Sequence, residues 1–332
     1  MKFRYIILHI ILFISVTSEL AFAQVQRYSY EKGMMGSPFV LTFYAKNDTL
    51  AKQAADSTFK RIQQLNDSLS DYRDGSEINK LSATSGTGKW VAVSKDLFNI
   101  LAVAQDFSQK TDGSFDVTLG PVVQVWRRAV RKGYLPDKNE IKEAMEKTGY
   151  RKLLLDPETR RVMLTQKGMR LDIGGLGKGF AADEAIKVME SFGITSALID
   201  AGGKLAITNP PPAAKGWKIK VSSGRDSLGT IELANAGVAT SGPTYRYLEF
   251  EGKKYSHIVD PKTGIGLQYH VRTTVISPNA TDADVLATAF SVTGIRNGRK
   301  YLKKYYSASR VWLVETRNGK ETSWNTIGQK KP

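Results

Sequence analysis

The string RLDIGGLGKGFAAD at residues 170–183 constrains this chain more than any other stretch. An apolar-patterned run ends in Asp172, a set of glycines follows with Lys178 among them, and an alanine-rich segment begins. Strand, glycine loop, helix is an order that brings backbone close to a phosphate. Glycine admits φ > 0 and close approach, and a helix start offers unpaired N–H groups to an anion. The string is not a Walker A loop, which needs Gly where Asp172 stands and Ser or Thr where Gly179 stands. Nor is it a dinucleotide fingerprint, because Gly175, Gly177 and Gly179 are spaced G-x-G-x-G. A tight strand-to-helix turn with a solvated lysine is the plainer alternative, and the string alone leaves both open.

Around this string, helices dominate the first half and strands the second. Residues 25–37 are polar and are expected to lie over the surface before a strand at about 38–46. Apolar residues then recur at helical spacing, with Asp48 as N-cap, and Ser76 caps a short helix. Residues 94–110 form a second amphipathic helix, closed by Thr111, Asp112 and Gly113. Pro121 suits the first turn of a helix, KNEIKEAMEKTGY reads as another, and LLLDPETRRVMLT reads as a hairpin. A helix is expected over about 178–193, and TSALIDAGGKLAIT reads as strand, glycine turn, strand. WKIKVSS, LGTIELAN, VATSG, RYLEFEGKKYSHIVD, HVRTTVISP and RVWLVET are further strand candidates. TDADVLATAFSV is a helix, with Thr281 or Asp282 as its cap. No repeat or linker divides the chain, so the expected class is α+β: one unit, or two lobes sharing a cleft.

Residues 1–23 read as a secretory signal: Lys2 and Arg4, the apolar run YIILHIILFISV, then the small-x-small site Ala21-Phe22-Ala23. The mature domain is expected at residues 24–332, with its core at about 35–310. The chain has no cysteine, which removes thiol catalysis, thiolate metal sites and lipid attachment at cysteine. The expectation is an exported protein of the periplasm, soluble after signal cleavage and without a stable membrane anchor. The net charge of +16 is dispersed and shows no dense basic cluster interleaved with aromatics, so no nucleic-acid partner is expected.

The mature chain has two histidines, His257 and His270, too few for a multi-histidine zinc site. His257 lies in YSHIVDPKTG, at a strand end beside a turn, where a histidine serves as base or phosphate ligand or is only a surface residue. Asp284 and Thr288 stand i, i+4 on a helix start, so their oxygens share one face. A carboxylate, a hydroxyl and backbone carbonyls make a hard oxygen set that suits Mg²⁺; a capping aspartate with a core-facing threonine reads equally from the string. TDGSFDVTLGP is a loop that could stack on a planar ring, or a packed helix connection anchored by Phe115. Tyr72 in SDYRDGSE could cover a ring system or simply pack.

Taken in order, MMGSPF, LSDYRDGSEINKLSA, TDGSFDVTLGPVVQVW, LDIGGLGKGFAADEA, ALIDAGG, GVATSG, YSHIVDPKTG and ADVLATAF resemble the ApbE family of FAD:protein FMN transferases. The resemblance implies an ApbE-like, T-fold-related α+β unit with mixed, largely antiparallel sheets and flanking helices around a flavin cleft. It implies Mg²⁺-dependent transfer of the FMN moiety of FAD to a Thr or Ser hydroxyl of an exported or membrane flavoprotein, such as a redox-pump subunit, with release of AMP. Flavin-binding positions carry over to Met35, Tyr72, Ser114, Phe115, Asp116, Asp172, Lys178 and Ile258. Metal positions carry over to Asp284 and Thr288 and to the backbone carbonyls of Gly175 and Ala287. Ser37 stands where the family usually has Thr, and Ser114 where a small apolar residue is common.

Phosphoryl transfer needs charge neutralisation, positioning and a base. His257 is the expected base, since His270 reads as deeper in a strand, and Asp260 before Pro261 is the reserve. Two other activities fit the same residues: an FAD pyrophosphatase releasing FMN and AMP, and a non-catalytic flavin carrier.

Overall fold

The computed structural model describes residues 25–223, 226–242 and 247–327, so the expected signal at residues 1–23 lies outside it. The described chain starts with a hairpin, β1 (Gln26–Met34) and β2 (Ser37–Ala45). The turn residues Met35 and Gly36 have φ of 50° and 70°, the left-handed pair that matches the twist of a two-residue hairpin. Residues 25–37 are therefore not surface coil. β1 is an edge strand whose mostly exposed, polar residues hide the alternation, while Tyr28 and Tyr30 stack on Phe43 at 6.1 and 6.0 Å.

Helix α1 (Asp48–Leu69) is capped by Asn47, one residue earlier than expected, through Oδ1 and the Leu50 N–H at 2.9 Å. Helix α2 (Glu77–Ala83) starts at Ser76 as predicted. There follow β3 (Val91–Ala92), α3 (Lys95–Lys110), α4 (Gly120–Lys132) with Pro121 in its first turn, and α5 (Lys138–Glu146). The predicted hairpin is β4 (Leu153–Asp156) and β5 (Arg161–Leu164), and β3 joins it as a third strand. The glycine string then opens α6 (Gly177–Ser191).

Strands follow: β6 (Ala197–Ala201), β7 (Lys204–Ile207), β8 (Trp217–Ser223), β9 (Asp226–Leu233) and β10 (Ala236–Ser241). The stretch expected as one strand over RYLEFEGKKYSHIVD is two, β11 (Tyr247–Phe250) and β12 (Lys253–Ser256). Glu251 and Gly252 reverse the chain with φ of 49° and 72°. Last come β13 (His270–Ser277), α7 (Ala280–Tyr305), β14 (Arg310–Arg317) and β15 (Lys320–Asn325). The cap of α7 is Asn279, not Thr281 or Asp282: its Oδ1 accepts the Asp282 N–H at 2.7 Å. The helix also outruns its expected end. Gly294 (φ 65°, ψ −173°) breaks it, and the chain re-enters helix beyond.

The fold is α+β. Its spine is an eight-stranded antiparallel sheet in the order β1-β2-β6-β7-β10-β13-β14-β15. Helices α1, α6 and α7 bury their apolar stripes against one face, where Phe39, Leu41, Phe43, Val275 and Phe290 are fully buried. The β8–β9 hairpin and residues such as Trp217, Ile276 and Trp312 form a second core. A third, smaller core joins α4, α5 and the β11–β12 hairpin around Trp126 and Tyr255. Among the described residues no helix is long and apolar enough to cross a membrane.

Candidate active site

The glycine string packs onto the start of α7. A Cβ on Gly179 would stand 2.4 Å from the Ala280 carbonyl oxygen and 2.9 Å from Asp284 Cβ. A Cβ on Gly175 would meet Phe115 at 2.9 Å and Thr288 Cγ2 at 3.4 Å. None of Gly174, Gly175, Gly177 and Gly179 has a left-handed φ. These glycines are there for close approach, and the conformational freedom inferred from the sequence is not used. The helix start does meet an anion, but that anion belongs to the chain: the Gly179 N–H donates to Asp284 Oδ2 at 3.1 Å. Asp183, nearly two turns into α6, accepts the N–H groups of Ala280 and Thr281 at 2.9 and 2.8 Å and so ties α6 to the first turn of α7. Burial pushes the Asp183 carboxyl up, and these bonds pull it back.

Asp172 holds the other end of the string. Its Oδ1 accepts the Gly174 N–H at 2.7 Å, and its Oδ2 accepts Arg127 Nη2 at 2.7 Å. Arg127 also pairs with Asp71, and its guanidinium lies 4.0 Å from the centroid of the Tyr72 ring. One arginine on α4 thus joins the SDYRDG loop to the glycine string. Burial pushes the Asp172 carboxyl up and Asp71 adds to the rise, while Arg127, the Gly174 N–H and the half-buried Lys178 act against it. Burial works against the Arg127 charge, but the two carboxylates outweigh it. Tyr72 is 71% exposed, a flat ring presented outward on a fixed cation. Sequence reading missed Arg127 and Asp71. The signal was a helix that carries Arg127 on its part-buried side.

The remaining expected residues fall into two groups. Phe115 is buried against Gly175 beside Thr288, Ser114 is buried, and Met35 reaches over the α6 start, its Cε 3.8 Å from where a Gly177 Cβ would be. Asp116 shapes its loop. Its Oδ1 accepts the N–H and hydroxyl of Thr118 at 2.7 and 2.6 Å, and its Oδ2 accepts the Tyr150 N–H at 2.8 Å. Burial raises its carboxyl, and those bonds hold it down. Ile258 is buried in the main core, and its N–H donates to Ser256 Oγ at 3.0 Å. His257 stands exposed between them, at the end of β12. His270 is exposed at the first residue of β13, not deeper in the strand as expected. Asp260 caps its own turn, accepting the Lys262 N–H at 2.8 Å, which is the ordinary use of an aspartate before proline.

Of the oxygens expected to hold Mg²⁺, those of Asp284, Ala287 and Thr288 already have partners within the chain. Asp284 is 1% exposed, and Lys204 Nζ lies 2.9 Å from its Oδ1. The Ala287 carbonyl accepts the Ser291 hydroxyl at 2.8 Å, and Thr288 Oγ1 shares a hydrogen bond with Ser241 Oγ at 3.2 Å. Among the described residues no group of three or more His, Cys, Asp or Glu side chains is arranged for a metal. One carboxylate already paired with an ammonium does not fit a divalent ion in this arrangement.

A cavity of about 710 Å³ is lined by Phe180, Glu184, Lys187, Asn235 and Pro278 among others; it touches the back of this junction at Asp183 and Thr281 and contains none of the expected site residues.

The comparisons bear on most of the chain. The family model described as the ApbE family matches residues 35–312. An FAD:protein FMN transferase of Klebsiella pneumoniae is 29% identical over 88% of this chain and 90% of its own. One of Treponema pallidum is 30% identical over 88% and 85%. The crystal structure of an ApbE protein from Thermotoga maritima, 28% identical, superposes with a TM-score of 0.81 over 91% of this chain and 98% of the other. The apo flavinyl transferase ApbE of Pseudomonas stutzeri, 25% identical, gives 0.80 over 91% and 95%. With its family match spanning the hairpin turn, the glycine string and α7 alike, this chain belongs to the ApbE family.

Proposed function

We propose that this protein transfers the FMN moiety of FAD to a Thr or Ser hydroxyl of an exported or membrane flavoprotein, such as a redox-pump subunit, and releases AMP in the periplasm. Relatives across most of its length carry the name FAD:protein FMN transferase. The observation that carries the reading is the junction itself: Phe115 and Thr288 lie against Gly175, and Asp172, two residues before the Gly174 N–H it accepts, is tied by Arg127 to the Tyr72 loop.

In this reading Tyr72 and Met35 flank the isoalloxazine ring, and Asp172, fixed by Arg127, meets its polar edge. Ser114 and Phe115 shape the floor, Ile258 closes the side, and Lys178 supplies positive charge toward the phosphates. The acceptor oxygen forms a bond to the FMN phosphorus, the bridging P–O bond breaks, and its electron pair leaves with AMP. His257 takes the hydroxyl proton; its exposure at the end of β12 gives an acceptor protein access to it. Mg²⁺ is expected from the family resemblance, but no step is assigned to it, because Asp284 is already paired.

The test incubates the mature protein with FAD and a domain carrying an acceptor threonine and looks by mass spectrometry for the FMN adduct. An adduct with stoichiometric AMP supports transfer. FMN and AMP appearing at the same rate without acceptor would instead make the protein a pyrophosphatase, and FAD bound without turnover would make it a carrier.

A further inference from the structure

Lys204 opens β7, directly after the Gly202-Gly203 turn, and is 8% exposed. Few lysines are buried so deeply without a fixed partner. Its Nζ lies 2.9 Å from Asp284 Oδ1 and donates to the Thr240 carbonyl at 2.7 Å. The second oxygen of Asp284 takes the Gly179 N–H at 3.1 Å, at the start of α6. A buried carboxylate is tolerated when its charge is paired and its oxygens are bonded. Here both conditions are met by the chain alone: an ammonium on one oxygen, a helix start on the other.

We propose that the Lys204 ammonium is a built-in cation at this junction, standing where a divalent ion would otherwise neutralise Asp284, and that it makes FAD binding by this protein independent of divalent metal. The inference rests on the reading that the FAD pyrophosphate lies against the Gly175, Asp284 and Thr288 junction. Its physical basis is repulsion. A dication bound to Asp284 Oδ1 would stand within a few ångströms of the ammonium, in a poorly solvated place where like charges interact strongly. Thr240 on β10 and Asp284 on α7 hold the ammonium from one strand and one helix, so it is a positioning residue fixed before any ligand arrives. Removing its charge leaves an unpaired buried carboxylate, which is what recruits a metal.

The experiment uses Mn²⁺ as the probe on chelator-treated mature protein, read by the loss of the free Mn²⁺ electron paramagnetic resonance signal, with no flavin present. Lys204→Met is expected to bind Mn²⁺ at least about 100-fold more tightly than the parent. Lys204→Arg is expected to behave like the parent. In a second arm, FAD fluorescence quenching in EDTA is expected to be unchanged for the parent and to become Mn²⁺-dependent for Lys204→Met. The proposal is overturned if the parent binds Mn²⁺ as tightly as Lys204→Met, or if its FAD binding disappears in EDTA and returns with Mn²⁺. Should Lys204→Met fail to fold by thermal melting, Asp284→Asn decides: tight Mn²⁺ binding by the parent that this substitution abolishes overturns the proposal as well. If no protein binds FAD with or without metal, the flavin reading fails, and the Mn²⁺ arm still judges the role of Lys204 by itself.

Discussion

Arg127 Nη2 meets Asp172 Oδ2 at 2.7 Å across 45 positions of sequence, and the same guanidinium supports the Tyr72 ring from 4.0 Å. One side chain therefore sets the distance between an exposed tyrosine loop and the acid that precedes the glycine string. Arg127→Ala is expected to weaken FAD binding about 10- to 100-fold, because two carboxylates are then left without their charge-assisted hydrogen bonds. Arg127→Lys should recover only part of this, since an ammonium cannot bridge two carboxylates in a fork and stack as well. Flavin fluorescence titration checks both; equal affinity in Arg127→Ala and the parent would remove the clamp from the site.

Gly179 tests the packing of α6 on α7. A methyl there meets a backbone carbonyl at 2.4 Å, which neither helix can relieve without moving. Gly179→Ala is expected to cost about 1–3 kcal/mol in thermal or denaturant unfolding. Gly33→Ala on β1 has nothing within 4 Å of the added carbon and no left-handed φ, and should stay within about 0.5 kcal/mol of the parent.

His257 and His270 separate chemistry from surface. Both are exposed, but only His257 adjoins the buried Ile258 strand end. His257→Ala is expected to lower the rate of FMN transfer about 10²- to 10⁴-fold with FAD affinity little changed, and His270→Ala to leave both as they were. A full transfer rate in His257→Ala would strip this histidine of its role as base.

Arg61 gives the pH prediction. It donates to both oxygens of Asp96 at 2.6 Å and to Glu184 at 2.5 Å, joining α1, α3 and α6. The Arg61 hydrogen bond holds the Asp96 carboxyl below its ordinary 3.8. Burial raises Glu184, but Arg61 and Lys187 outweigh it and hold it below its ordinary 4.5. A depressed carboxyl stabilises the fold above its unfolded pKa and loses that contribution as pH falls through the folded one. The cluster is thus fully stabilising above the ordinary carboxylate range and fades as pH falls through it. Arg61→Ala should cost about 1 kcal/mol at pH 7, allowing for solvent screening, and progressively less as pH falls through the folded pKa values of Asp96 and Glu184. Urea melts across that range measure the difference.

The order of motifs along the chain was enough to identify the family, and local chemistry was enough for most elements. Ser76 and Ser94 cap helices because a hydroxyl bonds a free N–H a few residues on, and the β4–β5 hairpin turns at its proline. The elements that differ from expectation are those where local signals are weak or ambiguous. β1 is polar because it is an edge, and its partner strand supplies the order. Thr281 resembles a cap but bonds to Asp183, ninety-eight positions away.

What the sequence determined by itself is the class of the fold, because periodicity and turn chemistry are properties of neighbours, and the family, because motif order is written along the chain. What only the tertiary structure decided is who pairs with whom. The start of α6 finds its anion in Asp284, Asp284 finds its cation in Lys204, and Tyr72 finds its support in Arg127. Each of these joins elements far apart in the chain. A buried charge takes its partner from whichever strand or helix packing brings near, and that choice is made by the sheet order, not by local sequence.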